Sequence, residues 1–146
     1  MKDLYNNIAV SMDFEAQTIS ATQTAVEIDL AGCNSAVFLI AFGEEGGTLS
    51  GSLGWTVTMT HADDDGTGVA DTYANVEAKD VQGVTPSSGV IITLDAAAED
   101  STVYKVGYVG DKRFVKLLLS EVGTTTGIPV TILTVKSHLQ DVPVVS

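Results

Sequence analysis

The chain has 146 residues, 45% of them hydrophobic, and its 19 acids against 7 Lys and Arg give a formal charge of −12. That length is one ordinary domain, large enough to bury a core without staples, and the hydrophobic share excludes global disorder. The acidity argues against nucleic acid and anionic membranes as partners, no apolar stretch is long enough to span a bilayer, and one cysteine, Cys33, cannot close an internal disulfide.

Met1–Asn7 is polar, lacks the basic and then apolar pattern of a cleaved signal, and reads as an arm outside the core. Ala25–Leu30 alternates, with Val26, Ile28 and Leu30 set against Glu27 and Asp29, which predicts a half-buried strand. Ala31–Asn34 turns the chain and places Cys33 as a small, half-buried residue at the start of the next strand. Ser35–Phe42 is continuously apolar and predicts a central strand buried on both faces. Gly43–Gly54 holds five glycines and reads as a long flexible loop.

Trp55–His61 alternates again, with three threonines on one face and Trp55, Val57, Met59 and His61 on the other. Asp63–Gly68 is a turn, Tyr73–Val76 and Val90–Leu94 are short strands, and Asp95–Asp100 is one helical turn too short to stand alone. Thr102–Val109 and Arg113–Val122, joined at Gly110-Asp111-Lys112, predict a hairpin. Gly123–Gly127 turns the chain into a last strand over Pro129–Ser137, and Asp141–Ser146 is a tail. The whole predicts a single all-β domain, an antiparallel β-sandwich or jelly roll, over residues 1–146.

Residues 1–100 hold 16 acids and 2 bases, whereas residues 101–146 hold 5 bases and 3 acids. Lys105, Lys112, Arg113 and Lys116 gather around the predicted hairpin, as a solvated hairpin end or as a contact surface for carboxylates on a partner. Asp63, Asp64, Asp65 and Asp71 offer oxygen ligands for calcium, but without EF-hand spacing. They read first as an exposed acidic turn, and no metal or cofactor is expected. His61 and His138 lack ligand partners at useful spacing and read as surface or rim residues. Trp55, Tyr73, Tyr104 and Tyr108 allow a sugar-stacking platform, though aromatics in a β protein serve more often as core. No nucleophile–base pair, phosphate loop or dinucleotide fingerprint stands out, so binding rather than catalysis is expected.

Three stretches carry a family resemblance: Met1-Lys2-Asp3-Leu4-Tyr5-Asn6-Asn7-Ile8, Val26–Leu30 followed by Ser35-Ala36-Val37, and above all Ser101–Lys116, with its Tyr-Lys-Val-Gly-Tyr-Val-Gly run leading into Lys112-Arg113. They resemble capsid decoration, or cement, proteins of tailed bacteriophages. The likeness spans most of the chain and leaves out the 43–54 loop and the acidic turn. It implies a virion structural protein made in the host cytoplasm. Such a protein binds the major capsid protein on the outer capsid surface, commonly as a homotrimer. A carbohydrate-binding module and another phage tail or head-completion protein are the alternatives.

Overall fold

Period-two alternation decides where the side chains go. In the strand Gly54–Ala62 (β4), Trp55, Val57, Met59 and His61 are buried and the threonines between them half-buried. The computed structural model describes residues 3–139. Among them, a 3-10 turn at Tyr5–Asn7 leads into ten strands. The other nine are β1 (Ile8–Ile19), β2 (Val26–Asp29), β3 (Cys33–Phe42), β5 (Ala74–Asn75), β6 (Val81–Gln82), β7 (Val90–Leu94), β8 (Val103–Tyr108), β9 (Phe114–Val122) and β10 (Ile128–Leu139).

One sheet has the order β1-β10-β3-β8-β6; the other runs β2-β9-β4, with β5 and β7 both pairing along the outer edge of β4. Every pair is antiparallel. The long strands thus fall in the orders 1-10-3-8 and 2-9-4-7, which is the jelly-roll arrangement of the two sheets. The sandwich predicted from alternation is present, and its topology is the jelly roll. Phe38, Ile40, Val106 and Ile132 from one sheet meet Trp55, Val57, Met59, Val115, Leu117 and Leu119 from the other, all at most 1% exposed. Each such side chain contributes about 1.5–3 kcal/mol by leaving water.

Two expectations about strands are corrected, and one strand is added. The hairpin of 102–109 with 113–122 does not form. β8 pairs with β3 and β6, β9 pairs with β2 and β4, and the Gly110–Lys112 corner carries the chain from one sheet to the other. Alternation reports which side chains face inward, and both strands face inward, but from opposite sides of a gap of about 10 Å. β3 is central but buried on one face only: Ala36, Phe38, Ile40 and Phe42 point into the core, while Val37, Leu39 and Ala41 stay half-exposed. β1 was not anticipated. Residues 95–100 form a single hydrogen-bonded turn, as expected: the Glu99 N–H donates to the Ala96 carbonyl at 3.1 Å, and the Glu99 carboxylate accepts from the backbone N–H of Asp95 and Ala96.

The glycine-rich segment is anchored rather than loose. Glu45 is buried within it; its Oε1 accepts from the backbone N–H of Thr126 and Gly127, each at 2.9 Å, and its Oε2 from Trp55 Nε1 at 3.0 Å. Leu49 is buried a few residues on. The opposing turn requires Gly123, whose φ is +74° and where a Cβ would stand 2.3 Å from the Ser52 carbonyl oxygen. Asp3–Asn7 lies at the surface, and the tail expected at 141–146 lies outside the described residues.

Candidate functional site

The four basic residues singled out by sequence are not one patch. Lys105 stands exposed on β8, level with Leu39 of β3, in the first sheet. The other three lie at the start of β9 in the second sheet, engaged with acids of the same chain. Arg113 reaches Asp29 through Nε at 2.9 Å and Nη2 at 2.7 Å, and meets Asp64 through Nη1. Lys112 Nζ lies 2.6 Å from Asp63, and Lys116 Nζ lies 3.3 Å from Glu27 and 3.9 Å above the Tyr73 ring. Tyr73 donates to Glu27 at 2.6 Å. The acidic turn and the basic segment therefore neutralise one another, so that the turn is tied to one end of the second sheet's outward face.

These contacts set the charge states. The Arg113 guanidinium holds the Asp29 carboxyl below its ordinary value of 3.8. Asp64 is lowered first by the backbone N–H groups of Gly68 and Gly66, then by Arg113. The Asp63 carboxylate raises the Lys112 ammonium. Asp65 accepts from Thr67 and Asp71 from Thr72, so each aspartate serves a turn or an ion pair. No three metal-ligating side chains converge among the described residues.

A second cluster lies inside. The expectation of a surface His61 is corrected: the ring is buried, and its Nδ1 lies 2.9 Å from the Tyr108 hydroxyl. Its Nε2 lies 4.0 Å from the buried carboxylate of Asp80. His61 occupies the inward register of Trp55, Val57 and Met59, and Tyr108 that of Val106, so the sheets bring them together. Burial pushes the Tyr108 hydroxyl up to about 12. The hydroxyl also accepts from the Lys112 backbone N–H at 3.2 Å, and the Asp80 carbonyl accepts from Val109 and Gly110. The trio clamps β4 to β8 and to the corner at 110–112, beneath an open groove of about 500 Å³. One ring nitrogen, the hydroxyl and the carboxylate are bonded within the trio or to backbone, which is a structural assignment. His138 is exposed, as expected, and its Nδ1 lies 2.8 Å from Ser35 Oγ. Cys33 opens β3 half-buried, its thiol 3.2 Å from the Leu30 carbonyl and raised by burial.

The sugar-stacking platform does not assemble. Trp55 is fully buried, Tyr108 is bound to His61, and Tyr104 packs edge-on against Phe42.

What the structure leaves open is the outward face of the first sheet. Val10 and Met12 of β1, Leu133 and Val135 of β10, Val37 and Leu39 of β3 and Val103 of β8 share it by register. Val10, Met12 and Val103 are 59%, 58% and 63% exposed. Reading the run at 35–42 as buried on both sides concealed this face.

No protein-family model and no curated protein matches the chain. Among solved structures, the chain is similar to a subunit from the disulfide-linked pili of Bacillus endospore appendages, with TM-score 0.38, 13% identity and coverage of 95% of this chain and 96% of that one. It is also similar to the VP2 subviral particle of infectious bursal disease virus, with TM-score 0.38, 10% identity and coverage of 91% of this chain and 32% of that one. The catalytic domain of an alpha-1,3-glucanase matches with TM-score 0.30, 13% identity and coverage of 90% and 28%. Likeness at this level carries no information about role.

Proposed function

We propose that this chain is a virion structural protein that binds the outer surface of a capsid as a decoration protein, and that it acts by binding rather than catalysis. One observation carries the reading: Leu4 and Tyr5, 67% and 79% exposed, stand on a segment outside the jelly roll. An apolar residue and a tyrosine held in water by a rigid domain are suited to anchoring on a partner, since tyrosine is enriched among the residues that dominate interface energy. The resemblance of residues 1–8 and 101–116 to decoration proteins supports the same partner, the major capsid protein. Docking would stabilise the shell by mass action, favouring the assembled state over its parts.

The test is co-sedimentation with shells assembled from the major capsid protein of the same genome. The parent is expected to bind at a fixed ratio to capsid subunits. A Leu4→Asp, Tyr5→Asp variant is expected to lose binding while melting at the parent's temperature. A parent that stays in the supernatant at every concentration overturns the reading.

A further inference from the structure

The outward face of the first sheet has a composition unlike the rest of the surface. The chain carries −12, yet the outward positions in ladder register on β1, β10, β3 and β8 hold no carboxylate and one charge, the ammonium of Lys105, while Asp13 and the exposed Glu15 stand at the two register shifts of β1. Lys105 sits on β8, where its stem can lie along apolar neighbours while the ammonium stays in water. The two ends of the face differ in relief. Val10 and Met12 form an exposed ridge along β1. Farther along the same strands lies a shallow groove of about 400 Å³ between small residues, among them Ala16, Thr18, Ala41, Gly43 and Thr131. Gly43 keeps the groove open, because a Cβ there would stand 2.9 Å from the Pro129 ring that lines it.

We infer that this face is covered by a second copy of the same chain, sheet against sheet, as a two-fold pair in place of the homotrimer that the resemblance implies. Charge selects that occupant. Two molecules at −12 repel, and they meet with least repulsion through a face whose ladder positions bear no acid and whose nearest carboxylates, Asp13 and Glu15, stand on the edge strand. Shape selects it as well. A two-fold axis lying in the interface and running across the strands carries the ridge of one copy onto the groove of the other, making an isologous contact. Four strands spaced about 4.8 Å apart and paired over roughly eight residues offer about 500 Å² of face per copy, or about 1,000 Å² for the pair, at the lower bound of specific interfaces. The contact is therefore of modest affinity, and it is distinct from the Leu4–Tyr5 anchor. Shell binding and self-association can fail separately, and a paired molecule presents two anchors to a shell instead of one.

Sedimentation equilibrium of the full chain, in the absence of any capsid protein, tests the inference. The parent is expected to reach twice the chain mass at micromolar concentration, and the association is expected to strengthen with added salt. Salt shortens the range of like-charge repulsion, from about 8 Å at physiological strength to about 3 Å at 1 M, and leaves the apolar contact in place. The double variant Met12→Glu, Val103→Glu is expected to stay at the chain mass with an unchanged melting temperature. Thr93→Glu, on the other sheet, is expected to keep the parent's mass. Should the double variant melt early, the single Val10→Lys variant reads the same surface. A parent that remains at the chain mass at high micromolar concentration overturns the inference. So does a folded Met12→Glu, Val103→Glu or Val10→Lys variant that keeps the parent's mass.

Discussion

Leu39 on β3 and Leu118 on β9 both point away from the core, on opposite sides of the sandwich, and both are half-buried. Leu118 stands opposite Thr58, in a face built from Thr56, Thr58, Thr60, Ser120 and Lys116, with the acidic turn fastened to one end through Asp63, Asp64 and Tyr73. Leu39 stands between Leu133 and Lys105, in a face built from valine, leucine and alanine with no such turn tied to it. Both sheets supply inward side chains to the same core, so the core does not account for the difference. The chain dresses one outward face with its own polar residues and leaves the other apolar, which marks the second as the face that meets something else.

The widest gap in that comparison should appear between neighbours on one strand. Phe38→Ala removes a fully buried ring from β3 and should cost about 3–5 kcal/mol. Leu39→Ala, one residue along and facing outward, should cost under about 1 kcal/mol in the isolated chain. Urea denaturation of both variants measures the gap, and equal losses would mean that the outward face is as enclosed as the core.

Glu45→Ala acts on the end of the sandwich and on neither face. It leaves Trp55 Nε1 and two backbone N–H groups without their acceptor, and should lower stability by about 2–3 kcal/mol. The oligomeric mass should not change, and a change would tie the open face to the 43–53 segment.

Arg113→Met loosens the dressing of the second sheet and should lower the melting temperature by a few degrees at neutral pH. Asp29 and Asp64 are held below 3.8 in the folded chain, so the stability they bring is present above that value. It is lost as pH falls through their lowered folded values, where the unfolded carboxyls are already protonated. The difference between parent and variant should therefore shrink in acid. A difference of the same size at both ends of the range would assign the loss to packing of Arg113 over the Phe114 ring instead.

The smallest effect is of opposite sign. Thr134 is fully buried on the inward side of β10, and its hydroxyl has no hydrogen-bond partner among the described residues. Thr134→Val should raise stability by about 1 kcal/mol, or about 2–4 °C in melting temperature.

The inward residues were legible because alternation survives in β2, β4, β8 and β9. Sheet membership was not, because period two is blind to which strand lies alongside, and the 110–112 corner reads equally well as a hairpin turn. β1 shows a further limit. Ile8, Val10, Met12 and Phe14 alternate and should share a face, yet Met12 pairs with Leu133 and Phe14 with Ile132. The bulge at Asp13 sends Phe14 into the core and leaves the other three outside. The basic residues were found by composition and their partners were not, since Asp29 and Asp64 meet Arg113 only after the chain has crossed between sheets. Glu45 carried no signal beyond its place in a glycine-rich stretch. His61 did carry one, in its register with Trp55 and Met59, and its polar chemistry outweighed that register in the sequence reading.

The place of β10 has a consequence in time. It lies between β1 and β3, and β3 lies between β10 and β8, so the first sheet has a gap at its centre until residues 128–139 arrive. A chain emerging from the ribosome through β9 presents two unpaired strand edges beside Val10, Met12 and Leu39. Closing that gap joins residues 88 to 129 positions apart, which slows folding relative to a fold built from local hairpins. Newly made chains at high concentration are then most exposed to pairing with one another in the interval before β10 inserts. Slower production, or a lower temperature, should therefore raise the yield of correctly closed molecules.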